Sequence, residues 1–96
     1  MTYEWDPVKA ATNVRRHRVT FEEAASVFLD PTALTFRDPD HSQVEEREIT
    51  IGRSARQRVL FVAHAAREGA VRIISARRAT RREQKQYEER IDEATQ

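Results

Sequence analysis

Basic side chains crowd the second half of the chain, and they offer the clearest chemistry in the sequence. The stretch from Arg53 to Lys85 holds ten basic residues against two acids, Glu68 and Glu83, whereas the whole chain has a net charge of only +1. Guanidinium groups bind phosphate through paired N–H donors, so this local excess indicates a polyanion as partner. A solvated face or a protein-binding surface is the alternative interpretation.

Four arginines lie where the last predicted strand meets the last predicted helix. Arg77 and Arg78 end the strand, and Arg81 and Arg82 fall in the first helical turn. Cations at a helix N-terminus oppose the helix dipole, and a phosphate bound there would remove that conflict. A structural ion pair with Glu83 is the competing explanation.

The first predicted helix carries a polar row of three residues that could hold a phosphate and a nearby hydroxyl. Lys9, Asn13 and His17 follow one another at a spacing of four residues, which places them on one helical face. The alternative is a solvated helix face.

Three further residues, in the predicted sheet and the last helix, are candidates for a functional site. His64 lies inside an apolar strand and is either a proton shuttle on an open sheet face or a satisfied core residue. Arg53 closes the preceding strand at a similar level, which fits the first interpretation. Tyr87 is either part of the core or a residue that stacks on bases.

Metal and thiol chemistry are not expected. The chain contains no cysteine, which excludes disulfides and thiolate zinc sites. His17, His41 and His64 show no local spacing for metal ligands, and no glycine-rich phosphate loop occurs. We therefore expect no cofactor.

The chain length of 96 residues predicts a single domain, residues 1–96. No apolar run approaches the ~20 residues of a membrane-spanning helix. The first residues lack the basic and apolar segments of a signal peptide, so we expect a cytoplasmic protein.

Helix signals are local and strong. Asp6 and Pro7 start a helix that runs to about His17. Thr20 and Glu23 form a capping box, and the helix that follows ends at Asp30-Pro31. Its buried face is predicted to comprise Phe21, Ala24, Ala25, Phe28 and Leu29.

A short strand at Tyr3–Trp5 precedes the helices, and four more strands follow them: Thr32–Arg37, Glu46–Arg53, Arg58–Ala66 and Val71–Arg77. Glu68-Gly69 predicts a tight hairpin turn. Alternation along the last strand places Ile73 with Arg77 and Ile74 with Arg78. A second capping box, Thr80 to Glu83, opens the last helix.

These elements predict an α+β fold of two layers. The sheet is expected to be mostly antiparallel and four- to five-stranded, with the helices on one face, in the order β-α-α-β-β-β-β-α.

The same residues, taken together, resemble the BrnT toxin family from residue 3 to about residue 88. The resemblance is carried by several blocks in order: Trp5-Asp6-Pro7, Lys9, Asn13, Arg16-His17, Val19–Ala24, Phe28-x-Asp30-Pro31, Thr50-Ile51-Gly52, Val62-Ala63-His64, Arg72–Ala79, Arg82-Glu83 and Tyr87. Arg18 stands where the family usually has glycine. If the backbone there is left-handed, arginine costs about 1 kcal/mol relative to glycine.

The resemblance implies a RelE-like fold and the ribonuclease toxin of a type II toxin–antitoxin pair. It also implies a partner of the BrnA kind, an antitoxin with a ribbon-helix-helix domain, in a heterotetramer that reaches operator DNA only through the antitoxin. RNA is the expected substrate, and no membrane partner is expected.

A ribonuclease without a metal ion can use the 2′-OH of RNA as its nucleophile, provided that cations stabilise the phosphorane and proton carriers are at hand. We expect Arg77 with Arg53 to hold the scissile phosphate, and His17 or His64 to move protons. Further contacts to the phosphate backbone are expected from Lys9, Arg78, Arg81 and Tyr87. A nucleic-acid-binding or regulatory module without catalysis remains the alternative function, and a pure protein-interaction domain is a third.

Overall fold

The computed structural model describes residues 1–40 and 46–95. The expected order of elements is confirmed, with a short 3-10 turn added after the second helix. The elements are β1 (Thr2–Glu4), α1 (Pro7–His17), α2 (Phe21–Ser26), the 3-10 turn (Val27–Leu29), β2 (Leu34–Arg37), β3 (Arg47–Arg53), β4 (Val59–Arg67), β5 (Ala70–Arg78) and α3 (Arg81–Thr95). The segment Asp38–Ser42, whose sequence is typical of a turn-rich loop, lies partly outside the described residues.

The sheet is five-stranded and mixed, so the expectation of a mostly antiparallel sheet holds for three of its four strand pairs and fails at the fourth. Its five strands lie in the order β1-β5-β4-β3-β2. The pairs β2–β3, β3–β4 and β4–β5 are antiparallel, but β1 runs parallel to β5, with Tyr3 opposite Val71. The first strand therefore joins the sheet beside the last one.

Helices cover both faces of the sheet, so the expectation of two layers with all helices on one face is wrong. Helices α1 and α2 pack against one face, whose core includes Leu60, Val62 and Ile73. Helix α3 packs on the other face through Tyr87, against Ile49 and Ile51. The interior strands β4 and β5 have apolar side chains on both faces, and each face needs its own cover.

A β-bulge in β5 overturns the predicted alternation of its side chains. Ala63 pairs with Ser75, but His64 pairs with Ile73, so Ile74 is an extra residue. Ile73 consequently shares the α1 side with Ala76, while Ile74 joins the core under α3. Arg77 pairs with Phe61 on the α3 side, and Arg78 falls on the opposite face.

The second helix begins as predicted but ends differently. The Thr20 hydroxyl accepts the N–H of Glu23 at 3.0 Å, which confirms the N-cap. The Glu23 carboxylate does not return to Thr20; it accepts hydrogen bonds from Ser54 and Arg58 instead. The tighter winding after Ser26 buries Val27 and leaves Leu29 83% exposed, so its predicted burial is wrong.

Two local predictions are confirmed at the other end of the chain. Glu68 and Gly69 form a two-residue hairpin turn, both with positive φ angles of 39° and 83°. The second capping box is complete: the Thr80 hydroxyl accepts the N–H of Glu83, and the Glu83 carboxylate accepts the N–H of Thr80.

None of the helices, in the part of the chain that the structure describes, combines the length and apolar character needed to cross a membrane.

Arg18 closes α1 in the left-handed conformation, with φ 58° and ψ 34°, and its N–H bonds to the carbonyl of Val14. A side chain is strained there, and glycine is not. We expect Arg18→Gly to raise the free energy of unfolding by about 1 kcal/mol, measured by urea denaturation. Arg16→Gly, inside the same helix, should lower it by about 1 kcal/mol. A loss of stability in Arg18→Gly would contradict this explanation.

Candidate functional site

The strand register gathers arginines at one end of the sheet. Strand β3 ends with Arg53 opposite Val59, where β4 begins. Strand β5 ends with Arg77 opposite Phe61 and Arg78 opposite Leu60. We call this region the arginine end; it comprises Arg53, Arg77 and Arg78 together with Arg18 and Arg58.

Helix α1 also finishes at the arginine end. Arg58, the residue before β4, donates a hydrogen bond to the carbonyl of Arg18 at 3.1 Å. His17, the last residue of α1, is exposed beside it. Lys9 is exposed two turns earlier on the same helix. The arginine end thus brings together candidate residues from both sides of the sheet.

A cleft of about 270 Å³ opens at the arginine end on the α3 side. Leu29 and Asp30, from the end of the 3-10 turn, form one wall, and Arg53 and Tyr87 form another part of the lining. Ser54 and Gln57 contribute polar groups. The lining is therefore partly apolar, and it includes one guanidinium group, Arg53, and one carboxylate, Asp30.

Arg53 is the cation of this cleft. Its Nη1 donates to the carbonyl of Gln57 at 3.2 Å, and its guanidinium carbon lies 5.9 Å from the centre of the Tyr87 ring. Within residues 1–40 and 46–95 no carboxylate forms an ion pair with it. Most of its donors are consequently available for a phosphate, as the sequence led us to expect.

Tyr87 is part of the hydrophobic core and is not placed to stack on an RNA base. Its side chain is 2% exposed, and its hydroxyl donates to Asp30 Oδ2 at 2.5 Å. Burial raises the pKa of the Tyr87 phenol, and the hydrogen bond to Asp30 raises it further. The phenol therefore keeps its proton at neutral pH, and the ring is not open for stacking.

Asp30 is a residue of the site that sequence reasoning missed, because Asp30-Pro31 was interpreted only as a helix stop. Burial alone would raise the pKa of Asp30. Hydrogen bonds from Thr32, Tyr87 and the amide of Arg53 outweigh burial and lower this pKa to about 2. The available signal was an acidic residue shortly before β2, the strand that pairs with β3, at whose end Arg53 lies.

Arg77 lies on the same side of the sheet as Arg53, but it is engaged within the protein. Its guanidinium donates to both oxygens of Glu83, at 2.7 and 2.9 Å, and stacks over Phe61 at 4.0 Å. Burial would raise the pKa of Glu83, and the bonds from Arg77 and Thr80 lower it. The structure thus favours the ion-pair explanation for this arginine, although 35% of its side chain remains exposed.

His64 does not lie on an open sheet face, so that expectation is wrong. The residue is 5% exposed, its Nε2 lies 2.7 Å from the Thr50 hydroxyl, and Phe28 packs edge-on at 4.8 Å. Burial lowers the pKa of His64 to about 4. The ring is a neutral core residue, which was the alternative interpretation, and no external phosphate can reach it.

The polar row on α1 is interrupted. Asn13 is buried and brackets β5: its Nδ2 donates to the carbonyl of Ala76 at 2.7 Å, and its Oδ1 accepts the Ala76 N–H at 3.1 Å. A second bond from Nδ2 reaches the carbonyl of Val19 at 2.9 Å. Only Lys9 and His17 of the row remain accessible to a ligand.

The remaining candidates lie around α3. Arg78 is exposed at the end of β5, and Arg81 lies on an outer surface of α3 with Gln84, Lys85 and Glu88. The capping box of Thr80 and Glu83 already closes the N-terminus of α3, so this helix end does not need an anion. His41 lies outside the described residues. Among the described residues, no group of three or more His, Asp or Glu side chains is placed to hold a metal ion.

Comparison with known proteins agrees with this picture. Residues 5–83 match a family model described as the ribonuclease toxin, BrnT, of a type II toxin–antitoxin system. A crystal structure of the Brucella abortus ribonuclease toxin BrnT has a similar fold, with a TM-score of 0.65 and 22% sequence identity. The match covers 84% of this chain and 100% of that one. The comparison with curated protein sequences gives no match. These results support a BrnT-like α+β fold rather than the broader RelE-like label.

The burial of His64 predicts a loss of stability in acid. The imidazole has a pKa of about 4 in the folded protein against 6.5 in the unfolded chain, so the unfolded state binds its proton first. The contribution of neutral His64 to the free energy of unfolding is complete above pH 6.5 and is lost as the pH falls towards 4. It amounts to about 3 kcal/mol. Urea denaturation across this range measures it. The loss should persist in His17→Gln and largely disappear in His64→Gln, whereas an equal loss in both variants would contradict it.

Proposed function

Because the chain belongs to the BrnT family of ribonuclease toxins of type II toxin–antitoxin systems, we propose that it cleaves RNA at the arginine end of its sheet without a metal ion. The observation that carries this proposal is the position of Arg53, a guanidinium group in a cleft with no carboxylate partner among the described residues. The proposed setting is the cytoplasm, where cleavage of RNA inhibits translation and growth.

The proposed reaction is an internal attack by the RNA itself. The 2′-oxygen forms a bond to phosphorus, the bond from phosphorus to the 5′-oxygen breaks, and a 2′,3′-cyclic phosphate remains. One proton leaves the 2′-hydroxyl and one is taken up by the 5′-oxygen. Negative charge grows on the non-bridging oxygens, and fixed guanidinium donors stabilise it.

Arg53 is the proposed principal phosphate ligand, and Arg77 is the proposed second. The two arginines face the same side of the sheet, separated by the β4 residues Val59 and Phe61. Arg77 would offer its exposed edge while Glu83 holds the opposite one. Exposed Arg78, Arg81 and Lys9 are proposed to contact neighbouring phosphates of the strand.

Of the two candidate histidines, His17 is the proposed proton carrier. Its ring is accessible at the end of α1, whereas His64 is enclosed and hydrogen-bonded to Thr50. An RNA strand that crosses the arginine end from the Arg53 cleft towards Arg18 would pass His17.

A type II toxin has an antitoxin partner. We propose that this partner resembles BrnA, with a ribbon-helix-helix domain, and that the two chains form a heterotetramer. Operator DNA would then be bound through the antitoxin alone.

Cleavage of labelled single-stranded RNA in EDTA tests the proposed site. We expect Arg53→Gln and Arg77→Ala each to lower kcat/KM by about 100-fold, the usual cost of removing one donor from a charged transition state. Arg90→Gln, an exposed arginine elsewhere on α3, is the control with the same loss of charge and should cleave normally. Full activity in the Arg53 and Arg77 variants would remove the site, and RNA binding without cleavage by the wild type would favour the non-catalytic module.

Arg77 also needs a variant that separates its effect on RNA from its effect on folding. Glu83→Gln breaks the same ion pair but leaves the guanidinium in place. If Arg77 binds phosphate, Glu83→Gln should retain cleavage while Arg77→Ala loses it, with a similar fall in melting temperature for both. Equal losses of activity in the two variants would show that the ion pair, rather than Arg77 itself, matters.

A further inference from the structure

A single carboxylate, that of Asp30, lies in the wall of the Arg53 cleft where the 3-10 turn, β3 and α3 meet. Building on the function proposed above, we infer that Asp30 is a positioning residue that sets the place and the direction of the Arg53 guanidinium for the RNA phosphate. It acts on Arg53 in two ways, through the backbone and through the ring of Tyr87.

The first link is to the backbone. Asp30 Oδ2 accepts the N–H of Arg53 at 2.8 Å, at the last residue of β3. Strand ends lack partners on one side, so an external acceptor fixes where this residue sits. The carboxylate itself is held by Thr32, whose N–H donates to Oδ1 at 2.9 Å.

The second link runs through two hydroxyl groups. The Tyr87 hydroxyl lies 2.5 Å from Asp30 Oδ2, and the Thr32 hydroxyl lies 2.6 Å from Oδ1. Each hydroxyl has one proton, and an ionised carboxylate can only accept, so both protons point at Asp30. The longer contact of 3.1 Å between the two hydroxyls therefore carries no proton of its own.

This arrangement determines what Tyr87 presents to Arg53. With its proton directed at Asp30, the phenolic oxygen turns lone pairs towards its other neighbours. The Arg53 guanidinium carbon lies 5.9 Å from the centre of this ring. The ring is therefore held in a fixed position, and the guanidinium lies within cation–π distance of it.

Asp30 does not take the proton of the 2′-hydroxyl itself. Its four hydrogen bonds, two on each oxygen, use the acceptor positions that a carboxylate offers. With these positions filled, Arg53 is the group of the cleft that would bind the RNA phosphate.

A double-mutant cycle tests the inference. We would compare wild type, Asp30→Asn, Arg53→Gln and the double variant for kcat and KM on single-stranded RNA, at a temperature where all four are folded. Asparagine replaces two acceptor positions by donors, so Asp30→Asn should lower kcat/KM by roughly 10- to 100-fold. Once Arg53 is absent, loss of Asp30 should cause no further decrease.

A stability control separates positioning from folding. Phe21→Leu shortens a fully buried side chain of α2 that packs edge-on against Trp5. It should lower the melting temperature and leave kcat/KM per folded molecule unchanged. If folded Asp30→Asn also cleaves like the wild type, or if the two losses in the cycle add, the positioning role is overturned while the proposed function stands.

A readout that does not need catalysis is the NMR signal of the Arg53 Nε–Hε group, identified by its absence in Arg53→Gln. We expect its heteronuclear NOE to fall in Asp30→Asn, and to fall less in Tyr87→Phe, which loses only the phenolic link. Tyr87→Phe also serves if Asp30→Asn does not fold. An equally ordered Arg53 in these variants overturns the inference. Normal cleavage by Arg53→Gln would instead refute the proposed site, and the NMR result would then stand by itself.

Discussion

Crowding of guanidinium groups at one end of the sheet is the constraint around which this protein is organised. Like charges repel, so gathering arginines at one end of a sheet costs free energy, and carboxylates placed among them lower that cost. Three acids from three different elements do this: Glu23 of α2 binds Arg58, Glu83 of α3 binds Arg77, and Asp30 binds the backbone of Arg53. Each contact also attaches its own element to the sheet. The bonds that these acids make at the arginine end therefore also hold the tertiary structure together.

Carboxylates balance only some of the charges at the arginine end in the described part of the chain, and a ribonuclease toxin needs unpaired cations to bind RNA. Arg58 and Arg77 are held by carboxylates, whereas Arg53 and Arg78 have none within the described part of the chain. In the function proposed above, an RNA phosphate binds the arginines without a carboxylate partner, while the two ion pairs hold the surrounding strands and helices in place. The Asp30 carboxylate adds order without neutralising Arg53, because it bonds the amide and the Tyr87 hydroxyl rather than the guanidinium.

Much of the local structure could be predicted because its causes lie within a few residues. Asp6 and Thr20 cap their helices, and Glu68 and Gly69 turn their hairpin. The predicted burial of Leu29 was wrong because the helix tightens into a 3-10 turn, which shifts its apolar face. The candidate arginines were identified, but the partner that makes Arg53 usable, Asp30, was not. Asp30 bonds to Arg53, which is 23 positions away in the chain, and to Tyr87, which is 57 positions away.

By itself, the sequence determined the residue types that are candidates for phosphate binding and where most helices and strands begin. Short-range capping, turn geometry and side-chain type suffice for these. Only the tertiary structure decided that α3 covers the face opposite α1, and that a bulge at Ile74 places Arg77 rather than Arg78 on the α3 side. It also decided that His64 is enclosed and neutral. These outcomes depend on which surfaces are buried together, and a periodic pattern along one strand or helix does not contain that information.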